Sequence, residues 1–529
     1  MPNKNILLIE PGYKNKYPPL GLMKIAQYHG PQGKRDRVTF IKGIDESVLE
    51  KSWDRIYVTT LFSFEWRKIS EAIDFAINVA GSQRGNVFVG GIAASLMHEA
   101  FLAETRWRGV RFIKGLLNKA PALSLELDAF EEELYSEDIT GGPIEDMIPD
   151  YTILDQVAYK YPVYDAYFAY ASRGCVRKCS FCGVPKLEGD LYETPSLTTV
   201  VKGIEKLYGA KKDLILMDNN VVASPRFKDI IAEIRDLGFQ KGAKLTRGRT
   251  SVLRRVDFNQ GVDARILCKD PVFLKEMATI CIKPLRIAFD HLGLRKPYET
   301  SIRFAHSTGL NELSNYMLYN FHDTPEDLYS RMWLNIELNE ELDIRIFSFP
   351  MRYQPTDRPD RTFVGEKWNK YYLRSMQIIL QATHGIVSGS PSFFKRAFGA
   401  TADQFQNLLI KPHKFIFNRV WFEELNGKNE HAEFESEFKS LTSSERVELL
   451  NILGGFENAK FESLQRGIAN PRLSRLFRFY RPLPDEEESG IWKQQKELRA
   501  KASKAGPSLP DDERVEDAGL ELEPALAMN

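Results

Sequence analysis

Along the first 140 residues, short apolar runs alternate with amphipathic stretches. Residues 6–9 (ILLI) are uniformly apolar and are stopped by Pro11 and Gly12, the pattern of a buried strand followed by a breaker. Residues 20–26 (LGLMKIA) begin a helix after Pro18 and Pro19, and residues 55–60 (RIYVTT) read as the next strand. Apolar positions then recur at helical spacing over 69–79, before residues 86–89 (NVFV) run into Gly90 and Gly91. Strands and helices in alternation imply a Rossmann-like parallel sheet, with ligands at the carboxyl ends of its strands.

After an acidic connector at 131–150, a second strand–helix series begins. Strands are expected at 167–172, 214–218, 256–261, 285–290, 314–320 and 344–349, with helices between, for example at 197–207 and 226–237. A series of that number suggests a parallel barrel or partial barrel, with polar residues just after the strands. From about 357 the pattern turns helical, as in TADQFQNLLI (401–410) and SSERVELLNILGGF (443–456). Beyond 483 the chain is charged and lacks apolar periodicity, so a disordered tail is expected. The expected fold is therefore α/β: a Rossmann-like domain over 1–140, a linker over 141–160, a barrel over 161–355, a helical domain over 356–482 and a tail over 483–529.

Composition removes several classes of function. Lys and Arg balance Asp and Glu at 72 each, so the chain as a whole has no electrostatic bias toward nucleic acid or membrane surfaces. The basic stretch KLTRGRTSVLRR (244–255) reads as a solvated loop. No apolar run reaches the roughly 18–20 residues of a membrane span, and the N-terminus lacks a signal-peptide pattern. A cytoplasmic protein with no membrane partner is expected, and nucleic acid is not the favoured partner.

Cysteine is scarce, yet three of the five fall within SRGCVRKCSFCG (172–183), at Cys175, Cys179 and Cys182. The spacing Cys-x3-Cys-x2-Cys arises by chance about once in a thousand such chains or less. A structural zinc wants a fourth ligand, and the first His downstream is His291. An iron–sulfur cubane held by three thiolates keeps one iron open for substrate or cofactor.

This loop, with Phe181 before the third cysteine, resembles that of the radical S-adenosylmethionine (SAM) enzymes. The resemblance covers about residues 160–355 and implies a partial (β/α)6 barrel of TIM type. It implies a [4Fe–4S] cluster on Cys175, Cys179 and Cys182, with the amine and carboxylate of SAM on the open iron. It also implies reductive cleavage of SAM to methionine and a 5′-deoxyadenosyl radical that acts on an unidentified substrate. An external one-electron donor such as flavodoxin or ferredoxin would then be the partner. At the strand ends, Asp218 and Asn219 are candidates for the amino group of SAM or for capping the next helix. Gln260, Asp263 and Arg265 are candidates for its ribose or carboxylate, unless Asp263 and Arg265 pair with each other. Phe181 and Asn320 complete the SAM candidates, and Asp290, His291 and Arg352 are the candidates for substrate.

Residues 9–26 and 87–95 resemble the cobalamin-binding-like domain that precedes this barrel in many relatives. Cobalamin is thus a possible cofactor, and a cobalamin-dependent methyltransferase or rearrangement enzyme is an alternative. No Asp-x-His-x-x-Gly motif is present, and His29 and His98 lack that context. A reading from another class is a non-catalytic zinc or iron–sulfur scaffold that recruits RNA or protein.

Overall fold

The run at 6–9 becomes the core of β1 (Asn5–Glu10), where five successive residues are buried. Burial of consecutive residues means that both faces of the strand are covered, as in a parallel sheet with helices on each side. In the computed structural model the described residues are 4–117, 143–383, 385–387 and 389–504. Most of the acidic connector (residues 131–142) and the tail from 505 lie outside them.

The front sheet is entirely parallel, in the order β2-β1-β3-β4-β5. Its other strands are β2 (Arg37–Lys42), β3 (Arg55–Thr59), β4 (Val87–Gly90) and β5 (Arg111–Phe112). Helices α1 (Leu20–His29), α2 (Trp66–Ala80) and α3 (Ile92–Leu96) follow β1, β3 and β4. One face buries Leu7, Ile9, Ile56, Val58, Ile73 and Trp107 in a single apolar cluster.

The second series supplies β6 (Ala166–Ala169), β7 (Ser172–Arg173), β8 (Tyr192–Glu193), β9 (Asp213–Leu216), β10 (Lys244–Arg247), β11 (Thr250–Leu253), β12 (Val256–Phe258), β13 (Leu285–Arg286), β14 (Glu312–Tyr319) and β15 (Arg345–Arg352). β6, β9 and β12 lie side by side in parallel, and so do β13 and β14. Parallel bridges Val256↔Ile282 and Val262↔Ile287 join the two groups. The strands are therefore neighbours in chain order, as right-handed crossovers through intervening helices produce.

The chain divides into two compact units. The first takes in the described residues up to Phe289, with Leu294–Tyr316 and Tyr353–Phe363. The second takes in Asp290–Gly293, Met317–Arg352 and the described residues from Val364 onward. It is mainly helical, around a core that includes Phe415, Phe434, Phe438, Leu473, Phe477 and Tyr480.

Two expectations need correction, and one strand escaped the sequence reading. Residues 244–253 form a two-stranded antiparallel hairpin, not a loop; both of its faces are largely exposed, so it has no apolar alternation to betray it. The tail expected to be disordered from 483 begins with a helix, Asp485–Lys504. Its first turn carries Asp485, Glu486, Glu487 and Glu488, which favours that end of a helix dipole. β2 is an edge strand of mixed burial, and its polar residues hide it from a search for apolar runs.

Candidate metal centre

β7 and β8 pair antiparallel, Ser172 with Glu193 and Arg173 with Tyr192, and so tie together the two ends of the loop that carries the cysteines. All three cysteines are half-buried, and none is in a disulfide. Backbone amides face their sulfurs: the Arg177 N–H donates to Cys175 Sγ at 3.4 Å and the Val184 N–H to Cys182 Sγ at 3.4 Å. The Cys182 N–H donates to the Cys179 carbonyl at 3.0 Å, which turns the chain between those two thiols. Gly174 has φ +72°, and a Cβ there would stand 2.0 Å from the Asp190 carbonyl oxygen, so only glycine fits.

Two acids hold the entry to this loop. Asp218 follows β9 and is 2% exposed. Its carboxylate accepts the Ala171 N–H at 3.0 Å, the Ser172 N–H at 2.6 Å and the Ser172 hydroxyl at 2.8 Å. Burial pushes the Asp218 carboxyl up to about 6 against the pull of these hydrogen bonds. Glu188 accepts the Gly174 N–H and the Asn219 side-chain amide, each at 2.8 Å, and lies 3.6 Å from the Arg173 guanidinium. Arg173 in turn sits 3.2 Å from Glu145, which pairs with Lys24 of α1 at 2.9 Å. Asp218 and Asn219, candidates for SAM, are thus engaged in holding the cysteine loop. Glu188, six residues past Cys182, is the residue that sequence reasoning missed; a lone acid in a loop carries no signal there.

A second clamp holds the middle of the loop. Asp263 Oδ2 accepts from Arg177 Nε at 2.7 Å, and Oδ1 accepts from the Arg265 backbone N–H at 2.9 Å and from Arg265 Nε at 2.8 Å. Burial alone raises the Asp263 pKa, but the hydrogen bonds from Arg265 and Arg177 outweigh it and hold the carboxyl below its ordinary value. The expected Asp263–Arg265 pair therefore exists. Phe181 is half-buried and Gln260 is exposed.

Among the described residues, no three His, Cys, Asp or Glu side chains are grouped to hold a metal ion. A cubane makes a different demand, because each thiolate binds its own iron at a separate corner. Three thiols on one loop, with backbone donors facing two of the sulfurs, fit that demand.

The remaining candidates belong to the second unit. Asn320 is fully buried with φ +66°, and its side-chain oxygen accepts the Gly365 N–H at 2.8 Å. The Asp290 carbonyl accepts from Arg331 at 3.1 Å, His291 is exposed, and Arg352 is half-buried at the end of β15.

In the front domain, the carboxyl ends of β1 and β2 are filled. Lys42 donates to Glu10 at 2.8 Å and to Asn15 at 2.6 Å, Asn15 donates to Glu10 at 2.8 Å, and the Tyr161 hydroxyl donates to Glu10. Between the ends of β1 and β3, the 2%-exposed Tyr13 packs edge-on against Phe62. His29 is occupied at both ring nitrogens, by Asp36 at 2.8 Å and by the Tyr57 hydroxyl at 3.1 Å. Gly91 (φ +104°) lies so close to Thr60 that a Cβ would stand 2.7 Å from its carbonyl oxygen. The helix that this turn starts, α3, meets the cysteine loop, since a Cβ on Gly183 would stand 2.9 Å from Leu96 Cδ1.

No protein-family model matches the chain, and no curated protein matches it. Among solved structures it is similar to the radical S-adenosylmethionine methyltransferase TsrM from Kitasatospora setae, whose structure has cobalamin and a [4Fe-4S] cluster bound. That likeness has 17% identity and a TM-score of 0.45, over 67% of this chain and 77% of TsrM. It is also similar to apo OxsB, a cobalamin-dependent S-adenosylmethionine radical enzyme, with 11% identity and a TM-score of 0.42, over 95% of this chain and 81% of OxsB.

Proposed function

We propose that this chain is a radical SAM enzyme in which Cys175, Cys179 and Cys182 hold one [4Fe–4S] cluster. The observation that carries this reading is the loop itself: three cysteines outside any disulfide at Cys-x3-Cys-x2-Cys spacing, two of them receiving backbone N–H groups. When bound, such a cluster supplies the one-electron chemistry that splits SAM into methionine and a 5′-deoxyadenosyl radical. The strands β6, β9, β12 and β13 of the first unit would supply part of the partial (β/α)6 barrel that this chemistry needs.

In this reading the chain's own residues divide the work. Asp218 and Glu188 hold the loop's entry, and Gly174 lets the backbone pass close to Asp190. Arg177 places positive charge beside the thiolates, which offsets the negative charge of a bound cluster. Gln260 and Phe181 are the residues of the first unit assigned to SAM. The one-electron donor is a separate protein such as flavodoxin or ferredoxin.

Anaerobic reconstitution is expected to load about four irons per chain, the content of a cubane. Dithionite and SAM should then release 5′-deoxyadenosine, and the triple Cys→Ala variant should lose both iron and this product. A wild-type chain that takes up zinc alone and forms no 5′-deoxyadenosine would overturn the reading in favour of a zinc-binding scaffold.

A corrinoid in the front domain is a second reading, favoured by the packing of α3 beside Gly183, which brings the carboxyl end of β4 to the cysteine loop. The filled ends of β1 and β2 and the engaged His29 do not offer that cofactor a place. Corrinoid absorption co-purifying after expression with hydroxocobalamin supports this second reading, and its absence leaves the first.

A further inference from the structure

The hairpin β10–β11 has one side fastened to the fold and one side turned to solvent. We propose that the outer side is a docking surface for the phosphodiester backbone of a single-stranded nucleic acid, held by Lys241, Lys244 and Arg249. This inference goes beyond the cluster reading and does not depend on it.

Between Asp236 and Asp257 the chain carries six cations, Lys241, Lys244, Arg247, Arg249, Arg254 and Arg255, and no acid. A two-stranded hairpin is marginal by itself in water, and three of these cations fasten it. Arg247 forks onto Asp165, just before β6, at 2.7 and 2.8 Å. Arg254 lies over the Phe239 ring at 3.6 Å and donates to the carbonyls of Lys211, Lys212 and Gly238 at 3.0, 3.2 and 3.1 Å. Arg255 pairs with Asp213 of β9 at 3.3 Å.

The register sorts the rest. Leu245 opposes Val252 and Arg247 opposes Thr250, so these four share the inner side, where Leu245 and Val252 are half-buried. Lys244 opposes Leu253 and Thr246 opposes Ser251 on the outer side, and all four are exposed. Arg249 is exposed at the tip and Lys241 at the base. Among the described residues, Lys241, Lys244 and Arg249 have no acidic partner. The balanced total charge hides this patch because it averages over the whole chain.

Three unpaired cations beside the Thr246 and Ser251 hydroxyls call for an anion of many charges. A protein partner wants a buried aromatic or aliphatic anchor, and a membrane surface wants a wide apolar face; the outer side offers Leu253 alone. Interfaces with nucleic acid are polar and positively charged, and Lys, Arg, Ser and Thr are their usual phosphate contacts. With its inner side fastened, the ribbon shows one flat side, which suits a flexible strand that can bring its phosphates to the cations. Residues 244–253 include no aromatic ring to stack a base, so the contact reads charge and not sequence. The hairpin is fastened beside the amino ends of β6 and β9, whereas the cysteine loop follows the carboxyl end of β6, so a strand docked here leaves that loop uncovered.

The test is fluorescence anisotropy of a labelled, mixed-sequence single-stranded RNA of about 20 nucleotides, titrated with the full-length chain at about 50 and about 200 mM KCl. Three phosphate contacts on a single strand predict that affinity falls about twentyfold over that range. K241Q/K244Q/R249Q is expected to weaken binding at the lower salt by about tenfold or more and to flatten the salt dependence. K51Q/K439Q/K460Q removes the same charge from exposed positions elsewhere and should change affinity by less than about twofold. A wild type that does not bind at about 100 µM and the lower salt overturns the proposal. So does unchanged binding in the hairpin variant, or an equal loss in both triple variants. Tighter binding of labelled poly-glutamate of equal charge overturns it in favour of an acidic protein partner, and hairpin-dependent binding to phosphatidylserine vesicles without RNA binding overturns it in favour of a membrane surface. If the hairpin triple variant does not fold, R249Q decides alone: a loss of about threefold with a shallower salt slope supports the proposal, and no change overturns it.

Discussion

Asp218 receives two backbone N–H groups and a hydroxyl in a site with almost no solvent, so its charge is both used and costly. With its carboxyl pushed up to about 6 by burial, from an ordinary value of 3.8, the folded chain holds this proton after the unfolded chain has released it. Stability from this residue is therefore greatest below the unfolded pKa and falls as pH rises from about 4 to about 6, by at most about 1.4 kcal/mol per pH unit. D218N carries no proton to lose but places an amide where a second acceptor is needed. Thermal melts across that range should show the advantage of wild type over D218N shrinking as pH rises; a widening gap would contradict the pKa shift. The residue types at this strand end were legible, but their role was not. Asp218 and Asn219 read as SAM contacts because their position after β9 was visible. The Ala171, Ser172 and Glu188 groups that they bind are distant in sequence or carry no motif.

At the scale of elements, local chemistry and solvent exposure decided what could be foreseen. Thr324-Pro325 carries the local signature of an N-cap followed by proline at the first helical position, and the helix Pro325–Leu342 begins there with a full capping box between Thr324 and Asp327. T324A should cost about 1 kcal/mol, while T324S, which keeps the hydroxyl, should cost much less. Circular dichroism melts should show the first variant lowered by about 2–4 °C, and an unshifted T324A would mean that the cap contributes nothing. The buried strands β1, β3, β4, β6 and β9 were found because uninterrupted apolar runs mark strands covered on both faces. β2 and the β10–β11 hairpin escaped because an edge strand and an exposed hairpin have no such run. The helix Asp485–Lys504 escaped because its sequence is mostly polar and charged and offers no clear apolar stripe.

At the scale of the whole molecule, charge balance and topology take over. The chain carries no net charge at neutral pH and has an isoelectric point near 7.1. Little electrostatic repulsion then keeps copies apart. Light scattering at low salt should show strongest self-association near pH 7, weakening about two units to either side; a flat profile would mean that local patches, not net charge, control association. No helix among the described residues is long and apolar enough to cross a membrane, in line with the absence of long apolar runs. The linear pattern determined the alternation of strands and helices and the three-thiol spacing, because hydrophobic periodicity and ligand spacing are local properties. Only the tertiary structure decided what the polar residues at the strand ends do. Asp218 closes on Ser172 across 46 positions and Arg177 on Asp263 across 86. Such pairings satisfy buried charge only after the strands have packed, and no local pattern encodes them.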